Sequence, residues 1–126
     1  MNVPIAARLA LTMAVLLVII AVSVVPGQAR AGDSMFVWLV AATPTPLQKV
    51  LHLAAYAVLA MLWMWTLEHL SSQAVRIAIV LLLSVGTGAL LEWYQTFVPG
   101  RFGTLIDVLL NASGTILGVI AAFILI

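Results

Sequence analysis

Three short groups of polar residues interrupt an otherwise apolar chain, and their spacing places each group on one face of a helix. Lys49, His52 and Tyr56 follow i, i+3, i+7; Glu92 and Gln95 follow i, i+3; Asp107, Asn111, Gly114 and Gly118 follow i, i+4, i+7, i+11. Arg101 stands between the last two groups. As a binding site, Lys49 and Arg101 would hold an anionic headgroup while Glu92 and Gln95 take hydroxyl or amine groups. As a catalytic site, His52 would act as general base, Glu92 or Asp107 would orient it, and the two cations would stabilise negative charge developing on a lipid-linked substrate. A third reading makes the network purely structural, with Tyr56 and Asn111 bridging helices by hydrogen bonds. A metal held by His52, Glu92 and Asp107 would be repelled by the two cations beside it, so no metal and no other cofactor is expected.

The elements that must position these residues follow from composition. Of 126 residues, 65% are hydrophobic and only 7% charged, and the mean hydropathy is +1.27. A typical soluble domain carries about 25% charged residues. At about 20 apolar residues per crossing, the chain has room for four membrane spans and no separate soluble domain. A net charge of +1 without a basic run excludes a nucleic-acid surface, and the lack of cysteine excludes disulfides, thiolate metal sites and thiol catalysis.

The expected fold is therefore an all-α integral membrane protein, one domain over residues 1–126, with four transmembrane helices near residues 5–25, 47–67, 74–97 and 103–126. Residues 35–42, "MFVWLVAA", are too few to span and are expected to form an interfacial or re-entrant segment. The first run could also be read as a signal peptide, with Arg8 as its charged region and "ARAG" as a cleavage site. Its 17 uncharged residues exceed the usual apolar region of about 7 to 15 and favour a retained helix. Pro46 suits the start of the second span. Pro99 and Gly100 suit the centre of a type II turn, which would make the last two spans antiparallel neighbours. Trp63, Trp65, Trp93, Tyr94, Phe97 and Phe102 are expected at the interfaces.

Placed on these helices, all three polar stripes begin at the same membrane face, and Glu92 lies about 10 Å deep at 1.5 Å per residue. Lys49 and Arg101 balance Glu92 and Asp107. Even on insertion scales an intramembrane charge costs about 2.5 to 3.5 kcal/mol, so such residues face one another or a wet cavity. Gly114 and Gly118 form a G-x-x-x-G on the Asp107–Asn111 face, and Gly88 lies one turn below Glu92; small residues there let helices approach and draw the polar groups together.

The pattern Lys49-x-x-His52-x-x-x-Tyr56, Glu92-x-x-Gln95, Pro99-Gly100-Arg101, Asp107-x-x-x-Asn111-x-x-Gly114-x-x-x-Gly118 resembles the VanZ-like membrane proteins, from residue 47 onward. The resemblance implies an integral protein of the bacterial cytoplasmic membrane and a link to susceptibility to the glycopeptide teicoplanin. The partners expected are membrane lipids, with a lipid-linked or glycopeptide ligand. Arg8 and Arg76 fall on one side and Arg30, Lys49 and Arg101 on the other; with Lys49 and Arg101 set aside as site residues, the positive-inside rule puts both termini in the cytoplasm and turns the polar site outward.

Overall fold

Four helices in the computed structural model are long and apolar enough to cross a membrane: α1 (Ile5–Ser23), α3 (Thr45–Thr66), α4 (Gln73–Gln95) and α5 (Leu105–Leu125). A short helix, α2 (Met35–Ala42), lies between the first two. The structure describes residues 2–25, 29–98 and 104–126, so the expected Pro99–Gly100 turn lies outside the described residues. The chain is an all-α integral membrane protein.

Local sequence sets where the helices begin. The Ser72 hydroxyl oxygen accepts a hydrogen bond from the backbone N–H of Val75 and caps α4. At the start of α5, Thr104 Oγ1 accepts from the Asp107 N–H at 3.2 Å and donates to Asp107 Oδ2 at 2.7 Å, a variant of the capping box. α3 has no side-chain cap, but Pro46 in its first turn removes a donor that would have had no partner. α2 is capped by Ser34 and buries no residue. At eight residues it is about 12 Å long, well short of a hydrocarbon core of about 30 Å.

α3 is the central helix. Its most extensive packing is against α5; α4 then packs on α5, α1 on α3, and α4 more thinly on α3. The α3–α5 contact is close because Gly114 lies over the carbonyl of Leu53 and Gly118 over the carbonyl of Ala57, where a Cβ would collide with backbone atoms. Below this contact, Ala60, Met64, Val80, Val119 and Ala122 form a buried apolar cluster. Large apolar side chains elsewhere point outward: Leu17, Leu82, Leu90 and Ile124 are among those most exposed. In water that surface would aggregate, whereas lipid tails match it.

A polar cluster closes the end of the bundle remote from the expected site. Arg8, near the start of α1, is buried; its guanidinium donates to the carbonyls of Val3 (2.9 Å) and Trp65 (3.0 Å) and pairs with Glu68 Oε1 at 2.8 Å. It also stacks 4.9 Å from the Trp65 ring centroid. One turn on, Thr12 and Thr66 share a buried hydrogen bond of 2.9 Å. Trp65 is thus a partner for Arg8 rather than simply an interfacial belt residue. The Glu68 side chain is 43% exposed, so the pair lies between a surface and a buried ion pair. Glu68→Gln is expected to lower thermal stability in detergent by about 1 to 2 kcal/mol, and Arg8→Met by more, because it also removes both carbonyl contacts and the ring contact. Equal melting of wild type and both variants would show that this clamp contributes nothing.

Candidate functional site: a buried polar cluster near one membrane face

His52 and Tyr56 are four residues apart on α3, so their rings lie on one face, with centroids 6.1 Å apart and tilted by 30°. α4 brings Glu92 opposite them. Its carboxylate is almost wholly buried, and Oε1 lies 3.9 Å from His52 Nε2. That separation exceeds a hydrogen bond but suits an ion pair when the imidazole is protonated. His52 is the more exposed of the two, with about a quarter of its side chain accessible. The pair therefore joins a buried acid to a ring that reaches the mouth.

α5 supplies the third wall through Asn111, which is 1% exposed, as is Tyr56. Both approach α4 at Gly88. A Cβ placed there would lie 2.9 Å from Asn111 Nδ2 and 3.3 Å from Tyr56 Cε1, so the glycine lets the amide and the phenol ring meet against the helix. Neither the Tyr56 hydroxyl nor either polar atom of the Asn111 amide has a hydrogen-bond partner among the described residues. Buried polar groups are nearly always satisfied, and each one left over costs about 1 to 3 kcal/mol. The glycine gap thus gathers buried polar atoms that do not satisfy each other.

The other expected site residues are placed differently. Gln95 is buried, and its Nε2 donates to the Ser23 carbonyl at 3.0 Å, tying the end of α4 to the end of α1. Asp107 is half-buried in the first turn of α5, and its carboxylate accepts the Thr104 hydroxyl in the cap. Lys49 is exposed one turn above His52 and makes no ion pair with another described residue. Arg101 lies outside the described residues. Gly88, Gly114 and Gly118 all sit at close helix approaches.

Sequence reasoning missed Ser84, which is fully buried with no partner for its hydroxyl among the described residues. The signal for it was present, since Ser84, Gly88 and Glu92 repeat every four residues on the face that α4 turns inward. No three His, Asp or Glu side chains converge on a metal position among the described residues.

No curated protein and no solved structure matches the chain. The VanZ/LLP1 family profile matches residues 8–126. That match takes in α1 from Arg8 onward, the other three spanning helices whole and every residue of the polar cluster; the chain belongs to the VanZ/LLP1 family.

Proposed function

We propose that this protein binds the polar headgroup of an envelope lipid or lipid-linked molecule, and through it influences glycopeptide access. The observation that carries this reading is the His52–Glu92 pair beside a buried Tyr56 hydroxyl and Asn111 amide; the hydroxyl and the amide have no hydrogen-bond partner among the described residues. Glu92 accepts hydrogen bonds from hydroxyl or amine groups, Tyr56 and Asn111 offer donors and acceptors below it, and Lys49 and Arg101 attract an anion to the mouth. Both termini are cytoplasmic in this reading, and the site opens to the outer leaflet. α2 lies in the interface beside the mouth, with Met35, Phe36, Trp38 and Leu39 turned to lipid.

Native mass spectrometry of the full chain, released from nanodiscs of phosphatidylethanolamine and phosphatidylglycerol, tests this reading. Wild type is expected to retain bound lipid, and Glu92→Gln to lose it while melting close to wild type. Equal retention by both would overturn the headgroup reading. Expression in a glycopeptide-sensitive host extends the test to the cell: a teicoplanin shift with wild type that vanishes with Glu92→Gln supports the link to envelope function.

The 3.9 Å approach of His52 to a buried carboxylate favours a second reading, an intramembrane enzyme with His52 as general base oriented by Glu92. It requires turnover of a lipid-linked substrate that His52→Gln abolishes without loss of binding.

A further inference from the structure

Gly86 and Gly88 lie on different sides of α4, about 200° apart at 100° per residue. Gly88 is filled from outside by Asn111 and Tyr56, whereas a Cβ at Gly86 would meet nothing within 4 Å. Gly86 belongs instead to a groove of about 410 Å³ between α4 and α5, bordered among others by Leu81, Leu82 and Ala89 of α4 and Ala112 and Ile116 of α5. Every residue bordering it is apolar, so it offers water no hydrogen bond. It lies within two membrane-spanning helices, where the available filler is hydrocarbon.

Size and position narrow the occupant. From residue 81 to residue 89 the groove runs about 12 Å along α4. A single hydrocarbon chain is slender enough to lie along it. The groove also begins where the polar cluster ends. Ala89 is one turn from Glu92, and Ala112 follows Asn111 in the chain, each on the lipid-facing side of its helix. At 1.5 Å per residue the groove starts about 4.5 Å below the level of Glu92, within reach of a chain that hangs from a headgroup held there.

We propose that the α4–α5 groove holds the hydrocarbon chain of the lipid whose headgroup occupies the His52–Glu92 site, an assignment that rests on the headgroup reading above. The ligand is then an amphiphile with at least one extended chain reaching to about the level of Leu81, and the protein grips it at both ends. Soluble headgroup fragments lack the part that the groove holds.

Phosphatidylglycerol carrying a diazirine midway along one acyl chain, placed in nanodiscs with the full chain, tests the assignment by mapping cross-linked peptides. Labelling is expected to concentrate on residues 81–89 and 112–116, above the level at Leu117 and Ile120, which are equally lipid-exposed at 51% but lie outside the groove. Gly86→Phe fills the groove into open space and should bring labelling down to that level; Gly86→Leu is the milder version, and both are checked for folding by size exclusion. Even labelling over the lipid-facing surface, or undiminished groove labelling in a folded Gly86→Phe, would overturn the assignment. So would a shift from dimer to monomer accompanying the loss, which would identify a second copy as the occupant. Glu92→Gln separates the two layers of the argument. Loss of retained lipid with intact groove labelling overturns the groove assignment alone, whereas undiminished retention overturns the headgroup reading beneath it.

Discussion

Gly118→Ala is expected to destabilise the protein by about 3 kcal/mol or more, the upper end of what overpacking costs, and Gly114→Ala by a comparable amount. A methyl group is the smallest side chain available, yet at position 118 it would collide with the Ala57 carbonyl oxygen and lie only 2.9 Å from the carbonyl carbon and Cα. At position 114 it would collide with the Leu53 oxygen and lie 3.1 Å from its carbon. These are backbone atoms of the central helix, so no rotamer change relieves the contact; α3 and α5 must separate. Their separation opens the most extensive packing in the bundle and pulls Asn111 away from Gly88. Gly86→Ala supplies the contrast. It meets nothing, and removing a glycine from a helix interior should stabilise it by about 0.5 to 1 kcal/mol. Melting curves in detergent for the three alanine variants check the ordering, and a Gly118→Ala protein that melts with wild type would refute the close α3–α5 approach.

The second large effect runs in the opposite direction for stability. Tyr56→Phe and Asn111→Leu are each expected to raise stability by about 1 kcal/mol, because each removes buried polar atoms that have no partner among the described residues. The gain belongs near the low end of the usual range, since a chain unfolded within a membrane also finds partners for its polar groups. Lipid retention should fall sharply in the same proteins. Scaffold residues behave otherwise: removing a hydrogen bond between helices would lower stability, with function following it. Variants that melt earlier than wild type would therefore return Tyr56 and Asn111 to the structural reading, whatever their effect on retention.

These contrasts also explain what could be read from the sequence. The four spans were legible because runs of nearly twenty apolar residues have few alternatives to crossing a bilayer. The meeting of His52, Tyr56, Glu92 and Asn111 was legible because four-residue spacing fixes a helix face, while the glycines at 88, 114 and 118 mark where those faces touch. Arg8 and Glu68 were opaque for a matching reason. They are sixty residues apart, each looks like an ordinary charge flanking a span, and nothing local announces that one folds over the other. Asp107 carried two signals. Its i+4 relation to Asn111 points into the bundle, whereas Thr104 three residues earlier marks a helix cap, and in the structure its carboxylate is bonded to that cap. Depth counted along a helix cannot decide between them, because a residue in the first turn still has the helix end within reach.

The pairing of charged ends with an apolar middle has a further consequence, for the bilayer itself. On α4, Arg76 and Glu92 are sixteen residues apart, and on α3 His52 stands fourteen residues before Thr66, where the helix ends. At 1.5 Å per residue these intervals are about 24 and 21 Å, some 6 to 9 Å less than a typical hydrocarbon core of about 30 Å. Glu92 is turned into the bundle while Leu90, Trp93 and Phe97 face outward, so the polar group is held below the headgroup plane inside an apolar outer surface. If the cluster receives a lipid headgroup, as proposed above, local thinning of the bilayer would lower the phosphate layer toward Glu92 and shorten the descent of a neighbouring lipid. On that reading the depth of Glu92 along α4, as much as the chemistry of the cluster, would set how readily a headgroup enters, and bilayer thickness would be a control on the site.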